Sequence, residues 1–125
     1  IAMLLDLYDH TLKPNYLFIA KKLCKETIDF FYIKEKSIFQ KNIVVNNDLF
    51  HNPVDISDGN IPNGNSIMLL NFSRLKMRNE AKELSDSLNG YLNVYKSLMA
   101  SALKSIEYFN SSDSSKNCTT EGCLL

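Results

Sequence analysis

Apolar residues recur every three or four positions along most of the chain, which is the spacing of helices that bury one face. Residues 2–12 and 16–33 both show this pattern. Lys13-Pro14-Asn15 separates them, because a proline disfavours helix at the residue before it. We expect Asn15 to cap the second helix, since its side-chain oxygen can accept a free backbone N–H. The two segments therefore predict a helical hairpin.

The helical pattern stops in the middle of the chain. Short β-branched and aromatic runs, Ser37–Gln40 and Asn42–Val45, predict either a small paired ribbon or an extended loop within residues 37–50. Residues 51–66 are rich in Asn, Asp, Gly and Pro, and they carry the strongest non-helical signal in the chain.

Helical spacing returns in the second half of the chain. It begins near Ile67, continues across 79–89 and resumes across 91–109. Asn89-Gly90 predicts a helix end between the last two segments, because glycine readily takes the left-handed conformation that closes a helix. The fold class predicted is all-α, with one short ribbon or loop.

Composition and charge narrow the function classes. The chain has 125 residues, with 14 Lys plus Arg, 14 Asp plus Glu and a formal net charge of zero. A neutral chain lacks the basic surface of a nucleic-acid binder, and no apolar run approaches the roughly 20 residues of a membrane span. The chain begins Ile1-Ala2-Met3, without an initiator Met or a signal peptide. We therefore expect a piece of a longer cytoplasmic protein that binds neither nucleic acid nor membrane.

The three cysteines do not form a disulfide framework. Cys24 falls on an apolar helix face and is expected to be a small buried hydrophobe. Cys118 and Cys123 form a C-x4-C pair in a polar tail, 110–125, which is predicted to be flexible. This spacing suits half a metal site or a local disulfide. Because both histidines are isolated, no second ligand pair is visible, and we predict no metal and no cofactor.

The segment before the third helical region has the composition of a sharply folded loop. Asp58-Gly59 predicts a turn with Gly59 at positive φ, Pro62 keeps Ile61 extended, and Asn63-Gly64 predicts a second turn. The three residues expected to shape the loop are Gly59, Pro62 and Gly64.

The same loop carries the candidate site. Asn65 or Ser66 is expected to cap the helix that starts near Ile67, and free N–H groups at such a helix start suit an anion or a sugar hydroxyl. The side chains of Asn65 and Ser66 lie beside these N–H groups, and His51, Asp55 and Asp58 are close enough in sequence to share a pocket. The structural alternatives are helix capping alone for Asn65 and Ser66, and turn-forming hydrogen bonds for Asp58. For His51 the alternative is an ordinary surface or packed histidine.

The loop also resembles that of a known family. Asp58–Ser66, followed by Asn71 and Arg74-Leu75, resembles the D-G-x-x-P-S/N-G-N-S…N-L-x-R-L signature of the thioredoxin-domain-containing family that includes spermatogenesis-associated protein 20. Upstream, Ala2–Tyr8 and Tyr16–Phe31 are similar to two helices of that family.

The resemblance implies a fold and a class of ligand. Members combine a thioredoxin-like domain with a C-terminal (α/α)6 toroid similar to N-acylglucosamine 2-epimerases and six-hairpin glycosidases. Residues 1–109 would then form helical hairpins belonging to part of such a toroid, followed by the tail 110–125. The implied partners are a carbohydrate and, through exposed helix faces, the remainder of the parent protein or another chain. No redox motif of a thioredoxin domain lies in this sequence, so no thioredoxin chemistry is implied for it.

Three functions remain open. The first is an enzyme fragment that processes a carbohydrate, with Asp58 as the catalytic residue and His51, Asp55, Asn65 and Ser66 binding substrate. The second is a non-catalytic helical interaction module. The third is a small helical bundle in which the loop is only structural. Two titratable groups on either side of a sugar would be needed for glycoside hydrolysis, and the sequence indicates candidates without defining a pair.

Overall fold

Helices make up most of the described chain. The computed structural model describes residues 1–42 and 54–114. Its helices are α1 (Ala2–Thr11), α2 (Pro14–Phe31), α3 (Gly64–Arg74), α4 (Arg78–Tyr95) and α5 (Ala100–Ser114). Strands β1 (Tyr32–Ile33) and β2 (Ile38–Phe39) form one antiparallel ribbon, and 3-10 turns cover Lys34–Lys36 and Lys96–Leu98. The predicted all-α class with a short ribbon is confirmed.

Helix α3 lies at the centre of the packing. It contacts α5 most extensively, then α4 and α1, while α1 packs mainly on α2. Leu69 and Phe72 of α3 are fully buried against Leu84 and Leu88 of α4 and other members of one hydrophobic core. Burial of large apolar side chains such as these is the main stabilising contribution in a small helical domain. The loop that leads into α3 is therefore anchored to the most buried helix.

The α1–α2 junction differs from its prediction by one residue. Leu12 closes α1 in the left-handed region, with φ 56°, and its N–H donates to the Tyr8 carbonyl at 2.8 Å. Helix α2 then begins at Pro14, so the prediction that Asn15 caps it is wrong. Proline suits a first helical position because its φ is already helical and it has no N–H to leave unpaired.

The ribbon uses a different first strand from the one predicted. Tyr32 pairs with Phe39 and Ile33 with Ile38. The Tyr32 and Phe39 rings lie 4.9 Å apart, a distance at which aromatic pairs attract one another. Helix α2 therefore ends at Phe31, and two residues predicted as helix form β1. Part of the predicted second strand, residues 43–45, lies outside the described part of the chain.

Two predicted helix boundaries in the second half are wrong. Helix α4 runs through Asn89-Gly90 to Tyr95, because Leu88 and Leu92 on either side are buried on one face and hold the helix together. The predicted helix 91–109 is instead divided between α4 and α5. The division falls at the turn Lys96–Leu98, and Met99, next to it, is fully buried.

The ends of α3 and α5 complete the described fold. The α3–α4 connection turns at Lys76, whose φ is 61°. Its N–H donates to the Ser73 carbonyl at 3.2 Å and that of Met77 to the Phe72 carbonyl at 2.9 Å, which closes α3 as a Schellman motif. Helix α5 continues to Ser114, into the segment predicted as tail.

The cysteines divide between the core and the undescribed end of the chain. Cys24 is fully buried, as predicted, and burial, with a smaller effect of the Glu80 charge, raises the pKa of its thiol to about 11. A thiol with so high a pKa is unreactive at neutral pH. Cys118 and Cys123 lie outside the described residues, so their predicted pairing stays a prediction.

Candidate functional site

The loop into α3 is organised by Asn63. Its side-chain oxygen accepts the Ser66 N–H at 2.9 Å, which makes Asn63 the N-cap of a helix that starts at Gly64. Its amide nitrogen donates to the Ile56 carbonyl at 3.0 Å and to Asp58 at 2.9 Å. The prediction that Asn65 or Ser66 caps this helix is wrong, because Asn63 satisfies the free N–H first.

The predicted glycine conformations are also corrected. Gly64 is the first residue of α3 rather than part of a turn. Gly59 does not take the predicted positive φ, and its N–H donates to the Ile61 carbonyl at 3.2 Å. Pro62 is exposed just before the Asn63 cap.

Asp58 joins the loop to helix α5. Oδ1 accepts the Asn63 N–H at 3.0 Å, and Oδ2 accepts the Ser101 N–H at 2.7 Å. The Ser101 hydroxyl also donates to Oδ1, and the Asp58 N–H donates to the Leu98 carbonyl at 2.7 Å. A carboxylate that accepts N–H groups at a helix start interacts favourably with the positive end of the helix dipole. Asp58 therefore caps α5 from a distant part of the sequence.

The pKa of Asp58 reflects these contacts. Desolvation by burial raises the pKa, but the hydrogen bonds from Ser101 and Asn63 to the charged form outweigh it. The net result is a pKa below the ordinary aspartate value. The carboxylate is therefore held ionised.

Asn65 is a buried connector to the ribbon. Its Oδ1 accepts the Phe39 N–H at 2.7 Å, and its Nδ2 donates to the Phe39 carbonyl at 3.1 Å and to the Asp55 carbonyl at 3.0 Å. The side chain thus pairs with β2 much as a further strand would. The Asp55 carboxylate lies 3.4 Å from Lys41, and both side chains are exposed. Asp55, Asn65 and Lys41 line one small cavity of about 270 Å³.

Of the two remaining predicted binding residues, the structure describes Ser66. Ser66 is fully buried, and its hydroxyl has no hydrogen-bond partner among the described residues; the same holds for Oδ1 of Asn71. His51 lies outside the described ranges. The structure therefore brings Asp55 and Asn65 to one cavity and places Asp58 at the start of α5.

A larger groove, unforeseen from the sequence, lies between α3 and α5. It measures about 690 Å³. The α3 wall is apolar, with Ile67 and Leu70, and the α5 wall is mostly polar. The α5 side chains that line it are Ser101, Lys104, Ser105, Glu107, Tyr108 and Ser111. Most of these follow helical spacing, which is the one sequence signal that could have revealed a polar face here.

The predicted loop borders this groove directly at Pro62 and indirectly through Ser101 of α5. Pro62 and Ser101 both line it, and Ser101 is the residue that Asp58 holds. The loop therefore supports the groove by positioning the first turn of α5, although the Asp58 carboxylate itself is engaged in capping.

Arg74, at the C-terminal end of α3, also lines the groove. Its guanidinium donates to Asp6 at 2.8 Å and to Asp9 at 2.7 Å, and its side chain is only 15% exposed. Desolvation lowers the pKa of Arg74, but the hydrogen bonds to Asp9 and Asp6 outweigh it and hold the pKa above its ordinary value. This clamp ties the C-terminal end of α3 to α1.

Two kinds of site are not found in the described ranges. Within residues 1–42 and 54–114, no three His, Cys, Asp or Glu side chains come together as metal ligands would. None of the helices described here combines the length and apolarity needed to cross a bilayer.

Comparisons with protein-family models, curated proteins and solved structures gave no match to this chain.

Proposed function

We propose that this chain is a section of an (α/α)6 toroid, of the kind found in the family of spermatogenesis-associated protein 20, that binds a carbohydrate in the groove between α3 and α5. The observation that carries the proposal is the groove itself. Its volume of about 690 Å³ suits a small ligand, and it combines an apolar wall with hydroxyl groups and opposite charges on α5. Sugar hydroxyls need such mixed donors and acceptors, and the ring of Tyr108 offers an apolar surface beside them.

In this proposal Asp58 positions the site and does no chemistry. Its oxygens accept four hydrogen bonds from Asn63 and Ser101. A general acid or base must be free to exchange a proton with the substrate, so these contacts favour a supporting role over the catalytic role predicted from the sequence. The proposed activity is therefore binding.

A titration of the 125-residue chain with a panel of monosaccharides tests the proposal. We expect chemical-shift changes at the amides of Ser101, Lys104 and Tyr108. The expected Kd is near 1 mM, which corresponds to a binding free energy of about −4 kcal/mol. Tyr108→Ala is expected to weaken binding at least about fivefold, because the ring loses its contact with the sugar. The proposal fails if no sugar perturbs these amides.

Tyr95→Ala is the matched control. Tyr95 and Tyr108 are similarly exposed, at 44% and 47%, but Tyr95 lies outside the groove lining. We expect this variant to bind the sugar as the wild type does. An equal loss in both variants would contradict a specific contact at Tyr108.

A second candidate, the interaction module, is favoured by one face of α2. Tyr16, Ile19, Leu23 and Phe30 follow heptad spacing along this helix, and we call them the open strip. Leu23 and Phe30 are 38% and 57% exposed, whereas the neighbouring strip that includes Ala20 and Cys24 is buried. A helix apolar on two adjacent strips is typical of one that packs against helices on both sides. The open strip suits contact with the remainder of a larger helical protein.

A further inference from the structure

A second cavity adjoins the groove. It measures about 330 Å³ and lies between α1, α2 and the C-terminal end of α3. The groove and this cleft share Asp9, Arg74 and Tyr108 in their linings. Because these three residues belong to both linings, the groove and the cleft are adjacent, and a ligand in the groove at Tyr108 lies next to the cleft.

The cleft has an excess of positive charge. Lys21, Lys76 and Arg74 line it, and among the residues that the structure describes Asp9 is the one acidic side chain of the lining. Asp9 is already paired with Arg74 at 2.7 Å. In the described ranges, neither Lys21 nor Lys76 has a carboxylate within ion-pair distance. Two ammonium groups are therefore available to an incoming anion.

The backbone fixes one of these lysines. Lys76 occupies the left-handed position of the Schellman motif, where glycine is usual, and the hydrogen bonds to Ser73 and Phe72 hold that turn. Its α-carbon is therefore set at the rim of the cleft. Lys21 lines the same cleft from α2, a different element. In the groove itself, by contrast, Lys104 and Glu107 offset one another.

We propose that the carbohydrate in the groove carries an anionic group, a phosphate or a carboxylate, and that this group binds between Lys21 and Lys76. The inference rests on the proposed function. Exposed lysines alone hold a free anion weakly, because water and salt screen them. The sugar ring in the groove supplies the remaining contacts and places the anion at the cleft.

The test compares four probes on the 125-residue chain at low ionic strength, namely glucose, glucose 6-phosphate, glucuronate and inorganic phosphate. We expect at least one of the anionic sugars to bind about tenfold more tightly than glucose. That advantage should shrink to about twofold or less in Lys21→Gln/Lys76→Gln, and it should fall as salt is added. The phosphate and carboxylate probes identify which anion is preferred.

Lys25→Gln/Lys34→Gln is the control of equal net charge, since both lysines are exposed and lie outside the groove and the cleft. It should keep the tenfold advantage. If glucose shifts the groove amides but neither anionic sugar binds more tightly, the inference is overturned and the proposed function stands. If no sugar binds, both fail. If inorganic phosphate binds as tightly as glucose 6-phosphate, the link between cleft and groove is overturned.

Discussion

At the scale of single residues, Asp58 and Asn63 account for the shape of the candidate site. Asn63 caps the helix that follows it, whereas Asp58 caps α5 through Ser101, which lies 43 residues later in the chain. Both side chains also bind each other at 2.9 Å. The loop, the start of α3 and the start of α5 are therefore joined through one carboxylate, and the joint depends on its charge.

Protonation of Asp58 is expected to weaken this joint. Its folded-state pKa is lowered, so its contribution to stability is complete above the unfolded pKa of about 3.9 and is lost as the pH falls through the folded value. The difference in free energy of unfolding between wild type and Asp58→Asn should therefore be largest near pH 7 and shrink below about pH 4. Urea unfolding at a series of pH values measures it.

Asp58→Ala should cost about 1–2 kcal/mol at pH 7, the usual cost of a lost helix cap. Asp55→Ala is the control in the same loop. It removes an exposed pair with Lys41, so we expect a loss of less than about 1 kcal/mol. The capping role of the charge would be contradicted if the free energies of unfolding of wild type and Asp58→Asn differed by the same amount from pH 7 to pH 3.

At the scale of elements, apolar spacing predicted the helices well and their ends poorly. The positions of α1, α2 and α3 follow from local periodicity. The break before α5 does not, because no glycine or proline lies there and the cap comes from Asp58 in a remote loop. At Asn89-Gly90 the error is the reverse, since a helix end is predicted there and the helix continues. A local stop signal was overridden by the burial of Leu88 and Leu92.

Gly90→Ala tests that explanation. Gly90 sits inside α4 without positive φ, and a β-carbon there would meet no atom within 4 Å. Alanine should therefore raise the free energy of unfolding by about 0.5–1 kcal/mol, because it loses less backbone entropy on forming helix. Thermal and urea unfolding followed by circular dichroism measure the gain.

Ser87→Ala gives the comparison on the same helix. The Ser87 hydroxyl donates to the Lys36 carbonyl at 3.0 Å, so its removal should offset the helix gain and leave stability little changed. A destabilised Gly90→Ala variant would mean that α4 needs the flexibility of glycine at this point.

At the scale of the whole molecule, the candidate site was only partly predictable. The turn-rich loop and Asp58 could be selected from composition because turns and caps use few residue types. The groove could not, since α3 and α5 meet through tertiary packing. From the sequence, Arg74 is notable only as part of the family resemblance. Its ion pairs with Asp6 and Asp9 depend on where α1 packs. Local patterns indicate which residues are unusual, and packing decides which of them share a cavity.

The open strip of α2 gives the last prediction. Because Leu23 and Phe30 expose apolar surface along one helix face, the 125-residue chain should self-associate with rising concentration. Leu23→Gln/Phe30→Gln should weaken that association at least about tenfold, as burial of a single large apolar side chain is worth about 1.5–3 kcal/mol. Sedimentation equilibrium measures the association. Val94→Gln/Leu103→Gln removes two other exposed apolar side chains, on α4 and α5, and it should leave association unchanged. A chain that stays monomeric at every concentration, or an equal effect of both variants, would mean that the strip is ordinary surface and would remove the support for an interaction module.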